Sequence, residues 1–223
     1  MQGILVPITG DGLVVTLLVS IGVAELVGYL LHRLLHSEQL ASLSRPHLIH
    51  HMVHYRPNQP MRSASYRNAT GDRAAIGNVG MEWILPIALV LLVSWGVMNL
   101  FKVCWLYQVV ALVTMISWAV LMFSYLHDRM HLKDFWMVRT PLIGAWFVRA
   151  RRLHDIHHHA LNDQGQMNRN FGIGFFWFDR LFGTYKKKHS PLNRHGYRAA
   201  LRRYRLEALN EEDDPSIPSG FRI

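Results

Sequence analysis

Ten of the fourteen histidines in this 223-residue chain stand in four short clusters: His32-Arg-Leu-Leu-His36, His47-Leu-Ile-His50-His51, His127-Asp-Arg-Met-His131 and His154-Asp-Ile-His157-His158. Residues three and four apart share a helix face, so each cluster, if helical, aims its imidazoles at one point. Ten imidazoles are too many for one metal ion. Divided between two ions they supply about five ligands each and leave a position open on both, which catalysis requires and a closed structural site lacks. Imidazole suits iron, zinc and copper alike, so ligand type does not name the metal. Of the four remaining histidines, His189 and His195 read as surface residues, while His54 and His159 adjoin clusters and stand as reserve ligands or supports. Asp128 and Asp155 each follow the first histidine of a cluster, where a carboxylate can orient a ligating imidazole through its second nitrogen; an exposed capping or ion-pair role competes with that reading.

The elements that must position these residues read as membrane helices. Half of the residues are hydrophobic, yet 24 Lys and Arg face 15 Asp and Glu, a mixture that suits a membrane protein with a basic cytoplasmic side. The single cysteine, Cys104, excludes a disulfide framework and a thiolate metal site. Residues 13–31 are almost wholly apolar and, at ~1.5 Å per residue, about long enough to cross the hydrocarbon core. No Lys or Arg precedes His32, so the positive region of a cleavable signal is missing and this stretch is expected to stay in the mature protein. Glu25 inside it is expected to face the protein interior or water, bonded to a neighbouring helix or in a catalytic role. Residues 83–100 and 103–126 are two further apolar runs joined by a tight turn, a transmembrane hairpin with Trp83 and Trp105 at the aromatic belts. Arg33, Arg45, Arg56, Arg62, Arg67 and Arg73 follow the first run, and nearly all other basic residues follow the third. The positive-inside rule then puts the N-terminus outside and all four histidine clusters, with the C-terminus, in the cytoplasm.

The expected fold is all-α: one domain over residues 1–223, an integral membrane bundle of about three transmembrane helices, an interfacial helix and a cytosolic histidine-rich cap over 32–80 and 127–209. Arg45-Pro46 reads as a helix stop. Tyr55 to Gly80 is too long and irregular for an ordinary connection and reads as a surface loop or lid; the glycosylation pattern at Asn68 lies on its cytoplasmic side and is taken as coincidence. Phe135 to Arg152 mixes apolar residues with four arginines around Pro141, an interfacial segment rather than a fourth, kinked span. Asn170 to Tyr185 is aromatic and glycine-rich, mostly packed core, and Phe175, Phe176 and Trp177 are candidates to line a slot. The basic stretch beyond it suits a solvated face as well as anionic headgroups or an acidic electron donor. Residues 210–223 form an acidic, disordered tail.

The motif order, the apolar spans and the run Asn170-Phe-Gly through Trp177-Phe-Asp-Arg-Leu-Phe-Gly-Thr together resemble the fatty acid hydroxylase superfamily, which includes sterol desaturases, sterol methyl oxidases and carotenoid hydroxylases. The resemblance covers roughly His32 to Tyr185. It implies a membrane non-haem di-iron oxygenase, with the ten clustered histidines as ligands to two Fe ions (zinc substituting in purified protein) and O2 as co-substrate. It implies hydroxylation or desaturation of an unactivated carbon in a hydrophobic, lipid-like substrate. This chain lacks the fused cytochrome b5 module of some members, so electrons are expected from a separate ferredoxin or cytochrome-type donor. The main rival is a membrane metal transporter or sensor, which would place ionisable residues along a path through the spans. A zinc hydrolase would need a Glu base beside few histidines, and nucleic-acid binding would explain the charge but not the spans.

Overall fold

The computed structural model describes residues 8–37, 41–57, 61, 75, 76 and 79–206. The expected loop over 55–80, for the most part, and the acidic tail lie outside these residues. Helix α1 (Gly10–Leu35) opens on an N-cap in which the Thr9 hydroxyl accepts the Gly12 N–H at 3.1 Å. It is followed by α2 (Ala41–Ile49), which widens into a π-helical turn at His50–His54. A two-residue hairpin, β1 (Ala75–Ile76) and β2 (Val79–Gly80), leads into α3 (Met81–Leu100). Helix α4 runs unbroken over Trp105–Met130, α-helical to Ala119, π-helical over Val120–Leu126 and α-helical again to its end. Then come α5 (Ile143–His159), the short α6 (Trp177–Leu181) and α7 (Arg194–Arg203). The fold is all-α apart from the small hairpin.

Two helices, α1 and α4, are long and apolar enough to cross a membrane; the apolar part of α3, Ile84–Leu100, is shorter. Only 28% and 33% of their apolar windows are buried inside the protein, whereas the core helix of a soluble domain would be mostly covered. Val14, Leu18, Leu89, Leu92, Val113 and Ile116 are among the large apolar side chains left outward. Such a girdle supports placement in a membrane.

Helices α1 and α4 pack closely because Gly28 has no side chain: a Cβ there would lie 1.8 Å from the Phe123 ring. Glu25, buried in α1, accepts a hydrogen bond from Trp118 Nε1 at 2.8 Å, so the carboxylate ties α1 to α4. A hydrophobic core of Phe123, Leu126, Phe147, Leu153, Ile173 and their neighbours joins α4, α5 and the glycine-rich loop. A second, around Met52, Leu161, Ala200 and Leu201, seats α7 against the π turn after α2.

Two local readings are corrected. Pro46 lies inside α2 rather than after a helix end; near the start of a helix it forfeits one hydrogen bond, and the buried residues that follow hold the helix on course. The stretch Phe135 to Arg152 is not one interfacial helix. A 3₁₀ turn (Trp136–Arg139) is followed by a break at Leu142, whose φ is +69°, and α5 then begins at Ile143 and ends on the last histidine cluster.

Candidate metal centre

Each histidine cluster sits on or just beyond a helix end, and all ten clustered rings are buried, none more than 6% exposed. His32 and His36 come from the last turn of α1, His47 from α2, His50 and His51 from its π turn, His127 and His131 from the end of α4, and His154, His157 and His158 from the end of α5. Two tetrads have their ligand nitrogens within 4.8 Å of one another: His32, His36, His47 and His51, and His50, His131, His154 and His158.

The remaining two rings extend these tetrads in matching ways. His157 Nε2 lies 3.0 Å from His36 Nε2, which joins it to the first set. The His127 ring lies 4.7 Å from His50 and 4.8 Å from His154, against 6.0 Å from His32, and so belongs with the second. Each half of the chain therefore keeps four of its histidines in its own set and lends the fifth, His50 or His157, to the other. The sets abut, with the rings of His51 and His158 centred 3.9 Å apart.

The spacing within each set is that of ligands. In the first, the Nε2 atoms of His157, His36, His47 and His51 follow one another at 3.0, 3.1 and 3.1 Å. In the second, those of His50, His131, His154 and His158 follow at 3.0, 3.1 and 3.2 Å. An imidazole Nε2 presents one in-plane site, either a hydrogen or a lone pair. Four such atoms in a row can satisfy at most two of their three contacts with hydrogens. Nitrogens about 2.1 Å from a shared first-row ion lie about 3.0 Å apart across a right angle and about 3.4 Å apart across a tetrahedral one, so the observed contacts match neighbours around a cation.

Three rings are also locked in the tautomer a metal needs. A carbonyl oxygen only accepts, so Nδ1 is the donor in His32 to Phe171 O (2.6 Å), His157 to Arg169 O (2.6 Å) and His158 to Tyr55 O (2.8 Å). Their Nε2 atoms are then bare lone pairs. Nδ1 of His36, His51 and His154 is buried without a hydrogen-bond partner among the described residues. Burial, above all, pushes the imidazoles of His36, His47, His50, His51, His154, His157 and His158 well below their ordinary value, and neighbouring rings push the same way. These seven rings are thus neutral donors at physiological pH.

For His32, His157 and His158 the supports are backbone carbonyls. Asp155 points to His189, 3.0 Å from its Nε2, and stands 3.8 Å from His159 Nδ1. His159 Nδ1 is bonded to the Asp155 carbonyl, His54 ends the π turn, and neither enters a tetrad; nor does Asp128. His195 is exposed on α7.

An acidic residue outside the clusters, Asp179 of the aromatic run, braces the loop beside the site. It is fully buried, and its two oxygens accept the N–H groups of Phe171 and Gly172, each at 2.7 Å, and the Thr184 hydroxyl at 2.7 Å. Burial raises its carboxyl and these donors oppose the rise. Phe171 carries the carbonyl that fixes His32. On the other side of the loop, Asn170 sits at φ +54° and bonds the carbonyl of Leu153 and both backbone groups of Lys186. Its sequence signal was present in Asn170-Phe-Gly and Asp179-Arg-Leu-Phe-Gly-Thr, but spacing alone did not connect that loop to an imidazole 139 residues earlier in the chain.

A model of the fatty acid hydroxylase family matches residues 17–184, a stretch that contains all ten clustered histidines and ends on the Asp179 partner Thr184. No curated protein and no solved structure matches the chain. With well over half of its length matched, the chain belongs to the fatty acid hydroxylase family.

Proposed function

We propose that this protein is a membrane-bound non-haem di-iron oxygenase that hydroxylates, or desaturates, an unactivated C–H of a lipid-like substrate with O2 and two electrons from a separate ferredoxin or cytochrome-type donor. The observation that carries this reading is the pair of mutually completing imidazole sets, which suit two ions and, among the described residues, offer imidazole nitrogen as the donor. The ten histidines would hold the irons, and when bound these supply the oxygen activation that no side chain can perform. The chain's own part is to fix each ring. Phe171, Arg169 and Tyr55 take the Nδ1 hydrogens of His32, His157 and His158 and turn their lone pairs inward. Burial keeps the other rings neutral and water away.

The same reading has three spans, with α3 as the third, an outside N-terminus and the histidine clusters at the cytoplasmic ends of α1 and α4. An apolar crevice lined by Gly28, Leu31, Ile87, Leu91, Met115 and Phe123 lies between the long helices and leads along α1 toward His32. Its free volume is only about 20 Å³, so an acyl chain would enter by displacing the Phe123 ring. A transporter is disfavoured because Glu25, the carboxylate within the apolar stretch 13–31 of α1, is engaged by Trp118 rather than lining a path.

The test combines metal analysis of detergent-purified protein with lipid mass spectrometry of cells with and without it. Two irons per chain and a lipid heavier by one oxygen support hydroxylation; loss of two hydrogens supports desaturation. Bound metal with an unchanged lipid profile would overturn the oxidative reading.

A further inference from the structure

A second cavity, of about 280 Å³ and lined by no histidine, lies between α5 and the aromatic run. Its walls are Trp146, Phe175, Trp177 and Tyr185, and Arg149 and Arg180 stand at its edge. The walls are rigid: Trp146 Nε1 donates to the Gly174 carbonyl at 3.1 Å, and Phe175 stacks on Trp177 with ring centroids 4.7 Å apart. The cavity abuts a membrane-length helix. Phe175 stacks on Trp118 of α4 at 6.0 Å, and a Cβ at Gly174 would meet Met122 of the same helix at 2.8 Å. Trp177 in its wall is 53% exposed, and Val148 and Leu181, each next in sequence to one of the two arginines, are 45% and 70% exposed, an apolar surface that suits the membrane interface.

Both arginines are exposed, and among the described residues neither has a carboxylate partner. Arg180 is held instead over the Tyr185 ring, 4.5 Å from its centroid. Two guanidinium groups without a carboxylate partner among the described residues, beside an aromatic wall and a lipid-facing helix, suit an occupant with an anionic head and an apolar body. We infer that this cavity binds the headgroup of an anionic bilayer lipid, its phosphate between Arg149 and Arg180 and its first carbons on Trp177 and Phe175. Guanidinium groups suit this role because they meet phosphate oxygens two at a time, and anionic lipids line the leaflet that faces basic segments. This site stands on its own geometry and does not depend on the oxygenase reading.

Native mass spectrometry of the intact protein released from detergent tests it, with phosphatidylglycerol, phosphatidylcholine and inorganic phosphate as probes. The wild type is expected to retain one phosphatidylglycerol under activation that strips phosphatidylcholine. The Arg149→Gln/Arg180→Gln variant should lose that retention at least tenfold while keeping its metal content and Tm. A Lys186→Gln/Lys187→Gln/Lys188→Gln variant, which removes equal or greater charge from the neighbouring surface, should retain the lipid as the wild type does. Trp177→Ala should weaken retention with both arginines intact. Equal retention by the double arginine variant, equal loss by the triple lysine variant, or retention of inorganic phosphate in place of the lipid would overturn the assignment.

Discussion

Asp179→Asn is the sharpest single test of how the site is held, because it changes one atom of a buried group that touches no imidazole. The carboxylate accepts three hydrogen bonds, from Phe171 N–H, Gly172 N–H and Thr184 Oγ1, all at 2.7 Å. An asparagine keeps one acceptor oxygen and turns an NH2 toward at least one donor. A buried donor left without an acceptor costs about 1–3 kcal/mol, and somewhat more where the lost acceptor was ionised, so the variant should be destabilised by about 3 kcal/mol. That loss falls on the segment whose Phe171 carbonyl takes the His32 Nδ1 hydrogen at 2.6 Å. Losing such a support lowers metal affinity by about 10- to 100-fold in other sites. The assay is an iron or zinc titration of chelator-treated protein in detergent, with Tm recorded for the metal-free and loaded forms. Gly172→Ala is an independent push on the same loop, since its Cβ would meet the Phe175 carbonyl at 2.4 Å and Asp179 Oδ2 at 2.8 Å. Weakened binding of one of two ions in both variants is the expected result. An Asp179→Asn protein that binds both ions with wild-type affinity, even at a lowered Tm, would refute the claim that this carboxylate orients a ligand.

Other consequences are as direct. His50→Ala should weaken the set built on His131, His154 and His158, and His157→Ala the set built on His36, His47 and His51; competition titration, with the resulting stoichiometries compared, would expose any variant that empties the set of its own half instead. Seven rings are held neutral well below the ordinary 6.5, so below that pH the unfolded chain binds more protons than the folded one. The metal-free protein should therefore be steady above about pH 7.5 and lose stability as the pH falls through 6.5, by up to about 1.4 kcal/mol per pH unit for each ring; a Tm unchanged down to about pH 5.5 would contradict neutral, buried imidazoles. Gly28→Ala drives a methyl into the Phe123 ring and should cost about 1–3 kcal/mol, seen as a lower Tm with wild-type metal stoichiometry. His195→Ala, on the exposed face of α7, should leave metal content and Tm within error, and metal loss there would reopen the assignment of the spare histidines.

The histidine spacing carried the grouping of ligands into four clusters because three- and four-residue intervals have one meaning on a helix. It did not carry their distribution between two sets. His50 and His51 are adjacent and so diverge, but which of them leaves its half depends on the π turn at His50–His54, and a local hydrogen-bond register of that kind has no signature in composition. The π stretch Val120–Leu126 is hidden for the same reason, inside a run of apolar residues that any helix would accept. The backbone carbonyls that hold Nδ1 atoms were invisible too, since every residue has one. Asp155 turns outward to His189 because its place on α5, between His154 and Ile156, puts it off the buried face.

The exchange of His50 and His157 has a consequence for how the site forms. With His50 withdrawn, the second half of the chain presents four rings, and with His157 withdrawn the first half does the same; neither completes five alone. A metal ion held by either set would therefore draw ligands from both halves, and it would add to the adhesion already given by Gly28 on Phe123 and Glu25 on Trp118. Anything that binds only the docked arrangement stabilises it by mass action. Loading either set should thus pre-form the other, because the ring lent across brings its neighbours His51 and His158, already 3.9 Å apart, into register. If each set takes an ion, the second would bind a site that the first has helped to assemble, so titration should show positive cooperativity in the wild type and lose it when either lent histidine is removed.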